Sequence, residues 1–177
     1  KVINEINNDE KIKGILVFRP LPKHIDEEKI AMEINPNKDI DAMGNKNLSD
    51  LFIYSKAKNY PSTPLSAVSL LEEYNIDLEG KNVCIINRSL VFGKPLSMML
   101  LSKNATITIC HSKTKNLKEI TKKSDIVITA VGKAKIFDKS YFNENSIVID
   151  VAINFDKEGN LCGDVDFENV KDFVKMI

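Results

Sequence analysis

A short polar loop between an apolar run and a helical pattern places the strongest constraint on this chain. The run Val83–Ile86 breaks at Asn87–Ser89, and a second apolar stretch opens at Gly93. A buried strand, a polar loop and a helix start form the unit that α/β proteins use to hold phosphate. A helix start offers unpaired N–H groups and a partial positive charge to an anion. We therefore predict a nucleotide-binding loop here, with an ordinary strand–helix connection and a solvated arginine as the alternative.

Downstream of this loop, apolar β-branched segments alternate with helical patterns. The predicted strands are Asn82–Ile86, Thr106–Cys110, Ile126–Ala130 and Ser146–Ile149, with predicted helices at Pro95–Ser102 and Leu117–Lys122. Such alternation indicates a parallel sheet covered on both faces. The predicted fold class is two-domain α/β, with a Rossmann-type parallel sheet over residues 61–177 and the remnant of a second α/β domain over residues 1–60.

The segment before residue 61 has a weaker pattern. Asp26 is a good N-cap for a predicted helix that ends at Glu33. Thr63 followed by Pro64 is predicted to cap the helix that connects the two domains. The other predictions are a polar helix from about Val2, a buried strand Lys13–Val17 and an irregular polar loop Ile40–Asn59.

Charge and cysteine usage exclude several classes of protein. Lys+Arg and Asp+Glu both total 25, so neither nucleic acid nor another polyanion is an expected partner. No apolar run approaches the roughly 20 residues of a membrane span, and no signal peptide is visible. The three cysteines lack C-x-x-C spacing, which predicts structural thiols in a reducing, cytoplasmic compartment and no metal site. The abrupt start and end of the sequence predict that both ends are incomplete.

Polar residues and glycines follow the other predicted strands. The second strand runs into His111–Thr114, which holds hydroxyls and a lysine where NAD-selective folds place a carboxylate. With Arg88 close by, this composition favours NADP over NAD, although solvated surface residues would give the same pattern. Gly132 and Asp150–Asn154 follow the third and fourth strands, whose ends border one crevice in a parallel sheet. Taken alone, Gly132 is better explained as a simple turn glycine.

Two carboxylates, Asp39 and Asp41, stand two residues apart in the first segment. In an extended chain both would point to the same face and could grip several N–H groups of a ligand. The alternative, a solvated acidic turn, is the commoner explanation of an isolated pair of this kind.

Eight motifs, in order, resemble the bifunctional methylenetetrahydrofolate dehydrogenase/cyclohydrolase family. They are Gly14–Pro22, Lys38–Asp41, Pro61–Pro64, Arg88–Pro95, His111–Thr114, Ala130–Lys133, Asp150–Asn154 and Gly163–Phe167. The resemblance implies a folate-binding domain and an NADP-binding domain around a cleft, in a homodimer. It further implies hydride transfer from methylenetetrahydrofolate to NADP, then hydrolysis of the methenyl product to formyltetrahydrofolate, in one-carbon metabolism and purine biosynthesis.

The same resemblance implies roles for individual residues. Asp41 matches the aspartate that hydrogen-bonds the pterin ring, with Phe18 and Pro20 in the same substrate site. The implied cofactor contacts are Asn87, Arg88, Ser89, Gly93, Ser112, Gly132 and Ile153. The family's catalytic lysine is expected upstream of Lys1, so no catalytic residue is assigned within the chain.

Four positions depart from the family pattern. Phe18 replaces a glutamine and cannot hydrogen-bond a lysine or a folate nitrogen, while glycines are replaced by Ala42, Asn87 and Ala152. Each change adds bulk or removes a polar function near a ligand. Three alternatives therefore stay open: a degenerate relative that binds nucleotide or folate without turnover, a dehydrogenase that has lost only the hydrolytic half, and another two-domain Rossmann oxidoreductase.

Overall fold

A largely helical segment precedes a four-stranded sheet in the structure, a computed structural model that describes residues 1–177. The helices are α1 (Val2–Asn8), α2 (Glu27–Glu33), α3 (Asn45–Tyr54), α4 (Ser62–Glu73), α5 (Gly93–Leu101), α6 (Leu117–Lys122) and α7 (Phe167–Val170), with a 3₁₀ turn at Lys139–Tyr141. The strands are β1 (Asn82–Ile86), β2 (Thr106–Cys110), β3 (Ile126–Thr129), β4 (Ile147–Asp150), β5 (Asn154–Phe155) and β6 (Leu161–Cys162). None of the helices combines the length and apolar character that crossing a membrane requires.

The four long strands form one parallel sheet in the order β2-β1-β3-β4, which confirms the predicted architecture. Ile86 at the end of β1 is paired with Cys110 on one side and with Thr129 on the other. The chain leaves β1 for β2 on one side and then crosses to β3 on the other. In open parallel sheets, ligands bind outside the carboxyl ends of the strands where the order reverses in this way. The fold therefore directs attention to the ends of β1 and β3.

The main core lies between the sheet and the helices that cover it. Leu96 and Leu100, one turn apart on α5, are fully buried in the same cluster as Val83 and Ile85 of β1. Truncating such a leucine to alanine costs about 2–5 kcal/mol because a cavity is left behind. This packing fixes the start of α5 against the end of β1.

In the first segment the structure confirms the predicted helix from Val2 and the cap of α2, and it overturns the predicted strand. The Asp26 carboxylate accepts the N–H of Lys29 at 3.1 Å, as expected of the α2 N-cap. The predicted buried strand Lys13–Val17 is wrong, because only Ile15 pairs, in a single parallel bridge with Asp39. No neighbouring strand continues that ladder, so the apolar run cannot extend into a sheet.

The polar segment Ile40–Asn59 contains α3, so its prediction as an irregular loop is also wrong. Leu51 of α3 is buried in the main core, and the helix packs against α5. Tertiary contact thus stabilises a helix whose own sequence gives a weak signal. The predicted cap at Thr63 is wrong as well, since α4 begins at Ser62 and Pro64 lies in its first turn, where a missing N–H costs little.

Candidate functional site

Two adjoining clefts lie between the first segment and the ends of the strands. The sheet crevice, a space of about 270 Å³, is bounded by the ends of β1 and β3 and includes Asn87 and Ala130. The loop cleft, about 370 Å³, is bounded by α2 and the loops before α3 and includes Arg19. Asp41 and Val91 line both spaces, so the two clefts form one groove.

Asn87 organises the sheet crevice. Its Oδ1 accepts the N–H and the hydroxyl of Ser89, both at 2.8 Å, and the N–H of Gly93 at 3.1 Å. Its Nδ2 donates to the carbonyl oxygen of Ala130 at 2.6 Å. Asn87 therefore bridges the ends of β1 and β3 at the point where the strand order reverses. The replacement of a glycine by Asn87 adds bulk, as expected, but that bulk is used to build the loop.

The backbone N–H groups at the start of α5 are already paired within the protein. Gly93 donates to Asn87, Phe92 donates to the Ser89 hydroxyl at 3.2 Å, and Lys94 donates to the Ser89 carbonyl at 3.0 Å. The prediction that these N–H groups are unpaired is therefore wrong, because the side chains of Asn87 and Ser89 and the carbonyl oxygen of Ser89 accept them. Recognition of an anion here depends on side-chain charge.

Arg88 supplies that charge. Its side chain is exposed and takes part in none of the six ion pairs of the structure. Because Ile86 is paired with Cys110, Arg88 and the exposed Ser112 each stand two residues beyond the ends of neighbouring strands. The adjacent His111 ring accepts the N–H of Lys113 at 3.1 Å through Nδ1. An unpaired guanidinium and a hydroxyl, with no carboxylate between His111 and Thr114, suit a phosphate group.

The two predicted glycines have different surroundings. Gly93 is buried, and a Cβ added there would lie 2.0 Å from the carbonyl oxygen of Asn87. Its small size lets α5 begin against the end of β1, and its contact with a cofactor stays a prediction. Gly132 is exposed with φ +71°, and a Cβ added there would meet nothing within 4 Å. Gly132 and Ile153, which is 79% exposed, thus stand on open loops after β3 and β4.

In the loop cleft, Asp41 lies between two elements. Its Oδ1 accepts the N–H of Ser62 at 3.0 Å, and its Oδ2 lies 3.9 Å from Nη2 of Arg19. Arg19 also pairs with Glu27, with 3.2 Å between Nη1 and Oε1. The Asp41 carboxylate is half-buried and keeps an oxygen that a ligand could reach if Arg19 moved. Phe18, which is 82% exposed, and the exposed Pro20 flank Arg19 in the chain.

Asp39 has a different role from Asp41, so the idea of two carboxylates on one face is wrong. Asp39 is buried, and it accepts the N–H groups of Met43 at 3.0 Å and Gly44 at 2.8 Å. It also accepts Nδ2 of Asn47 on α3 at 3.0 Å. The chain turns between the two aspartates, because Asp39 is used internally to hold the start of α3.

Two further carboxylates, which belong to the motifs Asp150–Asn154 and Gly163–Phe167 but were assigned no role from them, lie behind the sheet crevice. Asp164 is fully buried and accepts hydrogen bonds from the loops after β3 and β4. Asp150, at the end of β4, accepts the N–H of Val165 at 2.7 Å and of Ala152 at 3.1 Å. Burial raises the pKa of Asp150, the charge of Asp164 adds to this, and the N–H donors oppose it. The sequence signals were the motifs at 150–154 and 163–167, which do not show which groups their carboxylates contact.

Family models match most of the chain. Residues 61–177 match the tetrahydrofolate dehydrogenase/cyclohydrolase NAD(P)-binding domain, and residues 1–41 match the catalytic domain of the same family. The first match covers the sheet and both strand-end loops of the crevice, and the second ends at Asp41 in the loop cleft.

Individual relatives agree with these matches. A protein named bifunctional protein FolD from Clostridium botulinum (strain Okra / Type B1) is 58% identical over the whole chain. The crystal structure of a methylenetetrahydrofolate dehydrogenase/cyclohydrolase from Campylobacter jejuni has a TM-score of 0.95 at 40% identity, over 99% of this chain and 62% of its own. The Trypanosoma brucei enzyme, complexed with NADP cofactor and an inhibitor, gives a TM-score of 0.91 at 29% identity, again over 99% of this chain and 62% of its own. The chain spans 63% of the length of the Clostridium relative.

Proposed function

The chain belongs to the tetrahydrofolate dehydrogenase/cyclohydrolase family, and from this premise we propose that its protein oxidises methylenetetrahydrofolate with NADP. Water then attacks the methenyl product, and ring opening gives formyltetrahydrofolate. The single observation that carries the proposal is the unpaired Arg88 at the switch point of the sheet, beside a loop without a carboxylate. That arrangement fits the 2′-phosphate of NADP.

The continuous groove supports a reaction between two bound molecules. NADP, when bound, supplies the carbon that accepts the hydride. Asn87 and its partners hold the crevice loop, and Asp41 offers a carboxylate oxygen to the substrate in the adjoining cleft. Holding both reactants in one groove removes translational freedom from a two-substrate step. The groove would also limit contact with water before the hydride leaves.

Asp41 is the residue we assign to the folate ring, as the family resemblance implies. Because its Oδ1 is already used by Ser62, the oxygen facing Arg19 is the one available to a donor on the pterin. A donor on the substrate would therefore compete with Arg19 for this oxygen, and Arg19 can keep its contact with Glu27. In this account Arg19 adjusts the affinity for folate.

Phe18 is the one observation behind a second candidate, a dehydrogenase without the hydrolytic step, which the relatives named bifunctional do not favour. The side chain is 82% exposed and carries no group that could hydrogen-bond water or a folate nitrogen. A position that supplies a polar group in the family pattern is therefore apolar here. Retained oxidation with absent hydrolysis would identify this case.

We extend the proposal to two properties of the whole protein. A homodimer and a cytoplasmic location are expected for it, the latter because the three cysteines are free thiols. The fully buried pair Cys84 and Cys110 stands 3.6 Å apart between the sulfur atoms, and burial raises the pKa of Cys84. Both thiols therefore act as apolar core groups.

Turnover by the full-length protein tests the proposed activity. Methylenetetrahydrofolate is mixed with NADP or with NAD, and formation of the methenyl product is followed by its absorbance. A faster reaction with NADP supports the proposal, and hydrolysis of added methenyltetrahydrofolate is measured separately. Measurable binding of NADP without any turnover would show instead a non-catalytic relative.

A further inference from the structure

The loops after β3 and β4 are held by a carboxylate that comes from much later in the chain. Asp164 follows β6 and has no solvent-accessible surface. A buried charge of this kind persists only where hydrogen bonds compensate for lost hydration. Asp164 therefore serves the groups that surround it.

Four donors saturate the Asp164 carboxylate. Oδ2 accepts the N–H of Val131 at 2.6 Å and the hydroxyl of Thr129 at 3.0 Å. Oδ1 accepts the N–H of Lys133 at 2.7 Å and Nδ2 of Asn154 at 3.1 Å. An ionised carboxylate has about four acceptor sites, so none is left for a ligand.

These contacts set the shape of both loops. Val131 and Lys133 direct their N–H groups inward to Asp164, which leaves Gly132 between them at φ +71° facing open space. Asn154 ties the second loop to the same carboxylate, with the exposed Ile153 immediately before it. One buried side chain thus ties together the two loops that follow the paired strands β3 and β4.

The order of the strands indicates which half of NADP these loops would meet. Arg88 follows β1 and Ser112 follows β2, so the 2′-phosphate and its adenosine belong on the β2 side. β3 and β4 lie on the opposite side of β1. A dinucleotide that crosses the sheet at the switch point therefore places its nicotinamide half over the loops at Gly132 and Ile153.

We propose that Asp164 is a positioning residue that holds the loops after β3 and β4 in the shape that binds the nicotinamide half of NADP. This inference rests on the proposed function and adds a residue that acts through Gly132 and Ile153 without touching the cofactor. Loss of the charge would free both loops at once and leave the adenosine side of the crevice intact.

The test uses the full-length protein with two probes, NADP and adenosine 2′,5′-bisphosphate, whose dissociation constants are measured by calorimetry. For Asp164→Asn we expect the dissociation constant of NADP to rise about tenfold or more, because an amide nitrogen would face two donors. The constant for adenosine 2′,5′-bisphosphate should stay within about twofold, since that probe lacks the nicotinamide half. The matched control is Asp77→Asn, which removes an exposed carboxylate that accepts the N–H of Glu79 before β1, away from both loops.

The outcomes separate this inference from the proposed function. Equal losses for the two probes, or no loss for NADP, would overturn the positioning role. Failure of the unsubstituted protein to bind NADP would overturn the role and the proposed function together. If Asp164→Asn does not fold, Asn154→Ala decides, because it removes one donor of four, and we expect a loss of about threefold for NADP alone.

Discussion

The sheet crevice and the loop cleft adjoin, yet they are built differently. In the crevice, Asn87 and Asp164 tie strand ends and loops together with hydrogen bonds of 2.6–3.1 Å. In the loop cleft, buried Asp39 holds the start of α3, but the contacts around Asp41 are ion pairs between half-exposed side chains, such as Arg19 with Glu27 and Asp41. The crevice is therefore held in one shape, whereas the cleft can change its contacts when a ligand arrives.

The magnitudes explain this difference. Leaving a buried donor or acceptor without its partner costs about 1–3 kcal/mol, so the crevice network resists rearrangement. Exposed ion pairs contribute about 0–1 kcal/mol, so the Arg19 contacts can be exchanged at small cost. We therefore expect substitutions in the crevice to have large, specific effects, and substitutions in the cleft to have small ones.

Arg88→Ala should have the largest effect on binding. We expect the dissociation constant of NADP to rise by about 10–100-fold, because a charge-assisted contact to phosphate contributes about 1.5–3 kcal/mol. NAD, which lacks the 2′-phosphate, should be affected by less than about twofold. Lys122→Ala, an exposed cation on α6, is the control. Equal losses for both dinucleotides would show that Arg88 does not contact the 2′-phosphate.

Gly93→Ala tests whether the crevice depends on close packing. A methyl group 2.0 Å from the Asn87 carbonyl oxygen would force α5 away from β1, at about 1–3 kcal/mol in the free energy of unfolding. Urea unfolding measures this change, and binding of NADP should weaken with it. The control Gly80→Ala introduces only backbone strain, at φ +71° with open space, and should leave NADP binding unchanged.

Arg19→Leu probes the loop cleft. Without Arg19, the Asp41 oxygen has no competitor at 3.9 Å, so the KM for methylenetetrahydrofolate should fall by about 1.5–5-fold. The NADP dissociation constant should not change. Lys46→Ala removes an ion pair with Asp50 outside the cleft and is the control. A rise in KM would mean that Arg19 itself binds the substrate.

Ala42→Gly should give the smallest effect. Ala42 is buried and adopts φ +49°, a left-handed conformation that costs an L-residue about 1–2 kcal/mol. Glycine relieves this strain but loses about 0.5–1 kcal/mol of chain entropy. We expect a gain of up to about 1 kcal/mol in urea unfolding. A loss of stability would show that packing of the buried methyl group outweighs the strain.

The sequence predicts the sheet side of the molecule better than the loop side. Strands β1, β3 and β4 are short apolar runs whose burial requires a sheet, and β2 pairs along the exposed edge of β1. Helix α3 was missed because its packing against α5, with Leu51 in the main core, stabilises it. The local sequence pattern does not reveal such a tertiary contact. The roles of Asn87 and Asp164 were missed for a related reason, because the groups they bond lie far away in the chain. Asn87 bonds Ala130, 43 residues away, and Asp164 bonds the end of β3 and the loop after it, 31–35 residues away.

A crystal structure of the full-length protein with NADP is the most direct test of the central claim. We predict that the dinucleotide crosses the ends of β1 and β3, with its 2′-phosphate within hydrogen-bond distance of the Arg88 guanidinium. The nicotinamide should then lie over Gly132 and Ile153. Cofactor density elsewhere, or a sheet crevice closed by the protein's own side chains, would contradict the account.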